Sequence, residues 1–160
     1  MKRIPMVLQL AHQTYSRQWS ARAVQAEDAN DLAILLYAAF RGTIDDEGEP
    51  FSAAVREIDK TMAGDYGRLL SDCSFVIEKG DFISSACLIS WYEPVEGPFV
   101  VFTMTRPESK SQGMARFLLE KSINALISRG DTKLTLIVTD GNLPAQRLYT
   151  SLGFEAMANV

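Results

Sequence analysis

Two rhythms of apolar and polar positions divide this chain. Ser74-Phe75-Val76-Ile77-Glu78 and Phe82 to Trp91 are apolar, β-rich runs joined by Lys79-Gly80-Asp81, which predicts a hairpin. A third such run, Phe99 to Thr105, leads through a turn into a helical pattern. There Leu119, Ile123, Leu126 and Ile127 share one helical face, and Arg129 followed by Gly130 is a stop signal. Lys133 to Thr139 reads as a buried strand. Asp140-Gly141 then turns, Asn142 sits near a helix cap, Pro144 suits the first helical turn, and Gly153 suits a helix end.

Upstream the signals are shorter. Met6 to Leu10 and Trp19 to Val24 read as strands. Glu27 to Asp31 places acidic and capping residues before the apolar run Leu32 to Phe40, a helix start. Gly42 to Pro50 is too polar and too broken by Gly and Pro to continue that helix. A second amphipathic helix is predicted over Ser52 to Met62, with a further segment reaching Leu70. The order is strand, two helices, three antiparallel strands, helix, strand, helix and short strand, an α/β sandwich.

Composition narrows the function. With 160 residues, 47% of them hydrophobic, the expectation is one domain with a sizeable core. A net charge of −4 with no basic stripe argues against nucleic acid as a partner, and an acidic surface suits a cationic substrate. No apolar run reaches the length of a membrane span, so no membrane partner is expected. Cys73 and Cys87 lie in strand-like segments without metal-ligand spacing, which suggests buried thiols in a reducing compartment and no metal. Met1-Lys2-Arg3 before Ile4 to Ala11 has a trace of a signal peptide. The run is short, Gln9 interrupts it, and no clean cleavage site follows, so the expected location is cytoplasmic. His12, the sole histidine, has no partner visible in the sequence.

Chemistry concentrates where the third strand meets its helix. The turn Arg106 to Ser111 carries Lys110, and Gln112-Gly113-Met114-Ala115 opens the helix. The first turn of a helix leaves amides without partners and is partly positive. A glycine there lets an anion approach the backbone closely. The spacing matches neither G-x-x-x-x-G-K-[ST] nor G-x-G-x-x-G. A second feature is acidic: Asp45, Asp46, Glu47 and Glu49 crowd the loop between the first two helices, either as a solvated loop or as a site for a cationic amine.

Lys110-Ser111-Gln112-Gly113-Met114-Ala115 resembles the R/Q-x-x-G-x-G/A coenzyme A pyrophosphate loop of the GNAT N-acetyltransferases. Thr105-Arg106-Pro107 resembles the V-x-P that precedes it in that family. Asn142 to Phe154 is similar to the second family signature, N-x-x-A-x-x-L-Y-x-x-x-G-F. The likeness covers roughly residues 19 to 156, so residues 1–18 stand apart as an N-terminal extension to a domain at 19–160.

The resemblance implies a mixed, mostly antiparallel sheet flanked by helices on both faces. It implies acetyl-CoA as acyl donor and direct attack by a primary amine, either a small cationic amine or a protein N-terminus. The amides of Gln112, Gly113, Met114 and Ala115 would hold the pyrophosphate in a loop with Ser111, supported by the charge of Lys110. Backbone groups of Thr103 and Thr105 would pair with the pantetheine arm, and Asn142 would help position it. Tyr149 matches the tyrosine that protonates the departing thiolate. Asp45, Asp46 and Trp91 are the candidate acceptor-binding residues.

Two departures stand out. Phe99 to Thr105 holds no carboxylate, so Glu93 is the candidate base, with a water chain as the alternative. Relatives also continue past the G-F position into a strand that would lie beside Leu134–Val138, and that strand is missing here. An uncovered apolar edge is an aggregation hazard. The expected cover is Met6 to Tyr15 or a second subunit of a homodimer. These departures, with Lys110 in place of arginine or glutamine, leave an acetyl-CoA-binding sensor without turnover as the alternative to an enzyme.

Overall fold

The computed structural model describes residues 2–157. Its strands are β1 (Arg3–Gln9), β2 (Arg22–Ala23), β3 (Arg68–Leu69), β4 (Phe75–Lys79), β5 (Phe82–Tyr92), β6 (Gly97–Thr105), β7 (Lys133–Thr139) and β8 (Glu155–Ala156). Its helices are α1 (Ala29–Phe40), α2 (Phe51–Ala63), α3 (Met114–Arg129) and α4 (Leu143–Leu152). One sheet runs β2-β4-β5-β6-β7-β1-β8, with β3 beside β5. Every pairing is antiparallel except β6 with β7.

Period-two alternation divides the core between the two faces. On β4 and β5, Phe75, Ile77, Cys87 and Ile89 pack with α3, while Val76, Ala86 and Leu88 pack with α1 and α2. The α3 face also takes Met6 and Leu8 of β1, Leu134, Leu136 and Val138 of β7, and Leu152 of α4. The sequence therefore yields the expected mixed, mostly antiparallel sheet with helices on both faces.

The flank of β7 is filled from within the chain. β1 pairs with β7 along its whole length, from Arg3 opposite Thr139 to Gln9 opposite Lys133. It begins three residues before the expected Met6 and includes Pro5, because each residue from Arg3 onward finds a partner on β7. β8 then adds to the far side of β1. Other differences are local. The expected strand over Trp19 to Val24 shrinks to Arg22–Ala23, and the segment after α2 becomes the short β3 paired with Trp91 and Ser90. Gly64, in a left-handed conformation, stops α2.

Among the described residues, no helix is long and apolar enough to cross a membrane.

Candidate active site

Two features of β6 make a cleft. Its parallel pairing to β7 is confined to Phe99 opposite Thr135, although both strands continue, to Thr105 and Thr139. They therefore part. In the ladder with β5, Leu88 faces Phe102 and Ile89 faces Val100, so Val101 is the extra residue of a bulge. Bulges bend a strand and leave one residue out of the ladder. This one falls where β6 leaves β7, and nothing in the continuous run Phe99 to Thr105 announced it.

Two adjoining cavities of about 610 and 640 Å³ occupy the opening. Both are lined by Phe40, Thr103, Asn142, Ala145 and Tyr149, so they meet at those residues. One is walled by Thr105, the loop Ser109 to Ser111, and Gly113 to Arg116. The other extends over Val100 to Phe102, β7 and the acidic loop.

The loop before α3 leaves backbone amides unpaired among the described residues. Ser111 (φ 64°) and Gly113 (φ 81°) are both left-handed, a conformation that costs a serine about 1–3 kcal/mol and a glycine almost nothing. Among the described residues, none accepts a hydrogen bond from the amides of Gln112, Gly113, Met114 or Ala115. Gly113 caps α3 without a side-chain partner. The free amides of Gly113, Met114 and Ala115 are on residues of the cavity wall, at the positive end of a sixteen-residue helix, and fit a diphosphate, whereas Gln112 lines neither cavity. Lys110 lies on the same wall, but its Nζ donates to Ala39 O in the last turn of α1 at 3.3 Å. Its charge faces the cavity while part of its donor capacity is already engaged.

The N-terminal segment braces this loop. Trp19 Nε1 donates to Gln112 O at 3.2 Å. Gln13 exchanges hydrogen bonds with Asn124 of α3, and the Tyr15 ring packs on Phe117 with centroids 5.0 Å apart. These contacts were invisible in the sequence because the segment carries no regular periodicity.

At the junction of the cavities, burial pushes the Tyr149 phenol above its ordinary value. The Thr103 hydroxyl beside it offsets part of that rise, while Cys87 and Asp45 add to it. Thr103 Oγ1 is buried and, among the described residues, meets no partner within hydrogen-bond distance and angle. Asn142 caps α4, accepting from Ala145 N at 3.4 Å. Asp45 reaches over from the α1–α2 loop. It accepts from Thr139 Oγ1 at 2.6 Å and from Asn142 Nδ2 at 3.4 Å.

The remaining sequence candidates are placed differently. Asp46 lines the cavity over β7, but its carboxylate is tied to the amides of Gly42 (2.8 Å) and Gly48 (2.9 Å). Those bonds hold it below the usual carboxylate range. Glu93 is exposed in a 3-10 turn after β5 and lines neither cavity. Trp91 lines neither as well. It packs on the α3-side core, and a side chain at Gly67 would meet its carbonyl at 1.8 Å. The carboxylates that do line the cleft are Asp45, Asp46, Glu47, Glu49 and Glu57. Glu57 on α2 accepts from Tyr66 Oη at 2.6 Å.

A strand pair opening beside a free-amide loop is the architecture of an acetyltransferase, and sequence comparison agrees. The family model described as Acetyltransferase (GNAT) family matches residues 7–154. The chain belongs to the GNAT acetyltransferase family. A search of curated protein sequences finds no match.

Among solved structures, it is similar to a GCN5-related N-acetyltransferase from Sphaerobacter thermophilus (TM-score 0.73, 20% identity, covering 97% of this chain and 48% of that one). It is also similar to the ribosomal-protein-S18-alanine N-acetyltransferase of Escherichia coli (TM-score 0.64, 23% identity, 87% and 79%). A third is a GNAT family acetyltransferase from Brucella melitensis in complex with acetyl-CoA (TM-score 0.63, 17% identity, 88% of each). The chain thus spans about half the length of the Sphaerobacter protein.

Proposed function

We propose that the protein transfers an acetyl group from acetyl-CoA to the nitrogen of a cationic primary amine. The observation that carries this reading is the junction of the two cavities at Tyr149 and Thr103, with free loop amides on one side and carboxylates on the other. When bound, acetyl-CoA supplies an activated thioester.

The chain's own residues have distinct tasks. The amides of Gly113 to Ala115 hold the diphosphate, with Lys110 adding charge. The edge of β6 from Val101 to Thr105, left without a partner as β7 diverges, takes the pantetheine arm as an added strand. The bulge at Val101 offers backbone polar groups to the acyl oxygen, an oxyanion-hole role worth about 2.7–4 kcal/mol. Asn142 fixes the start of α4 and so the approach to Tyr149. Tyr149 holds the proton that the departing sulfur needs.

The amine arrives as an ammonium ion, roughly 3.4 pK units from its nucleophilic form at pH 7. Asp45 is the carboxylate nearest this task in the present geometry. It lies at the cavity junction, close enough to raise the Tyr149 pKa, and its two hydrogen-bond donors hold it in place. Asp45 docks the ammonium and takes up its proton, directly or through water. Glu47 and Glu49 along the same wall favour an acceptor with a second positive charge.

The test is a thiol-release assay with acetyl-CoA and a panel of mono- and diamines. Release with diamines supports the reading. Tight cofactor binding with no release from any amine would leave the sensor, the reading favoured by the absence of a carboxylate on β6.

Asp45→Asn is expected to raise KM for a diamine about ten-fold or more, as loss of one charge-assisted contact does, while KM for acetyl-CoA stays within about two-fold. Equal changes in both would show that Asp45 shapes the cleft as a whole.

A further inference from the structure

Arg116 has more support than a helix-surface arginine needs. It stands in the first turn of α3, one residue past the loop Gln112 to Ala115, and lines the loop-side cavity. Its Nη1 donates to Ser151 Oγ on α4 at 2.6 Å. Its Nε lies 3.5 Å from Glu120 Oε2, one turn along α3.

Glu120 is the unusual member. It is 2% exposed, and its other oxygen, Oε1, has no partner among the described residues. Burial pushes the Glu120 carboxyl up, and the Arg116 guanidinium and the Ser16 backbone amide pull it back. Here it grips a guanidinium that keeps part of its surface in the open, with 33% of the side chain exposed. The brace fixes the arginine's direction, so less freedom is lost when it meets an anion.

Position indicates which anion. With the acyl end at Tyr149 and the diphosphate on the loop amides, the nucleotide end of coenzyme A must lie beyond the loop. Arg116 occupies that side, turned toward Ser151 in the last turn of α4. Coenzyme A carries one more phosphate there, a monoester on the ribose. Of the two cations on the cavity wall, Lys110 is held across the cleft on Ala39 O. Arg116, braced through Nε and Nη1, keeps Nη2 engaged by neither Glu120 nor Ser151 and so can make a charge-assisted contact with a phosphate.

We propose that Arg116, held by Glu120 and Ser151, binds the ribose 3′-phosphate and makes the protein selective for coenzyme A over 3′-dephospho-coenzyme A. The inference rests on the loop being a diphosphate site.

Calorimetric titration of the full chain with both nucleotides tests it. The wild-type protein is expected to bind coenzyme A about ten-fold or more tightly than the dephospho form, the size of a charge-assisted contact. Arg116→Gln should bring the two affinities within about three-fold by weakening coenzyme A alone. Glu120→Gln, which leaves the guanidinium present but loosely held, should reduce the preference in part. If Arg116→Gln fails to fold, Arg116→Lys keeps the charge without the guanidinium and should show an intermediate preference.

Equal affinity of the wild-type protein for both nucleotides would overturn the proposal, as would an arginine variant that loses both ligands in the same proportion. Wild-type protein that binds neither nucleotide would overturn the acetyl-CoA reading itself, and the subsite with it.

Discussion

Tyr149→Phe is expected to lower kcat by about 10²-fold or more, the usual range for a lost general acid, and to change coenzyme A affinity by less than about three-fold. The substitution keeps the ring, its edge contact with Phe154 at 5.7 Å and the packing of α4, and removes one hydroxyl. In water, moving a proton from a phenol to a thiolate is uphill by about 1.5 pK units, or about 2 kcal/mol.

Inside the cleft, burial pushes the Tyr149 phenol further up. A thiolate in the same dry surroundings is also destabilised. Cys87 of β5 shifts in the same direction, its thiol pushed up to about 11 by burial. Donor and recipient shift together, so the step remains modest. The sign also sets a pH profile. A phenol raised above about 10 stays protonated through the working range, so loss of the acid should appear in kcat only above that value. An undiminished kcat in the phenylalanine variant would remove the acid role.

Deleting residues 1–17 is expected to abolish recovery of folded, soluble protein. The deletion removes β1, and with it Met6 and Leu8, 6% and 5% exposed, from the core shared with Leu134, Leu136 and Val138. It bares the whole pairing edge of β7 and strands β8, whose partner is β1. Truncating one such side chain, as in Leu8→Ala, costs about 2–5 kcal/mol, and a domain of this kind has only about 5–15 in hand. Urea denaturation of Leu8→Ala should show the first figure directly. A soluble deletion variant with an unchanged midpoint would show that β7 does not depend on this cover.

Much of the fold was legible because long segments had one rhythm and clear punctuation. β7 has the bounds the sequence indicates, and the β4–β5 hairpin follows its Gly-Asp turn. α3 and α4 end at Gly130 and Gly153, as the sequence signals. The short elements were less legible. β2 and β3 exist only because an edge of the sheet is there to pair with, and no run of two residues signals that.

In the site, the loop was readable because its backbone geometry requires glycine at a fixed place. The acceptor side was not. Sequence proximity to the central strand drew attention to Glu93 and Trp91, yet the turn after β5 carries Glu93 away from the opening, and Trp91, within β5, packs on the α3-side core. Asp45 and Asp46 are neighbours with opposite fates, one spanning to Thr139 and the other clasping its own loop. The bulge at Val101 and the brace on Arg116 depend on register and on contacts between distant helices, which a one-dimensional pattern does not encode.

The pairing of β1 with β7 also sets a schedule for synthesis. β1 leaves the ribosome long before β7, and at about 5–20 residues per second it waits on the order of ten seconds for its partner. Through that interval Met6 and Leu8 lack the β7 side chains they pack against. β7 also lines one wall of the cleft, so a nascent or truncated chain lacking β7 would not display a finished cleft.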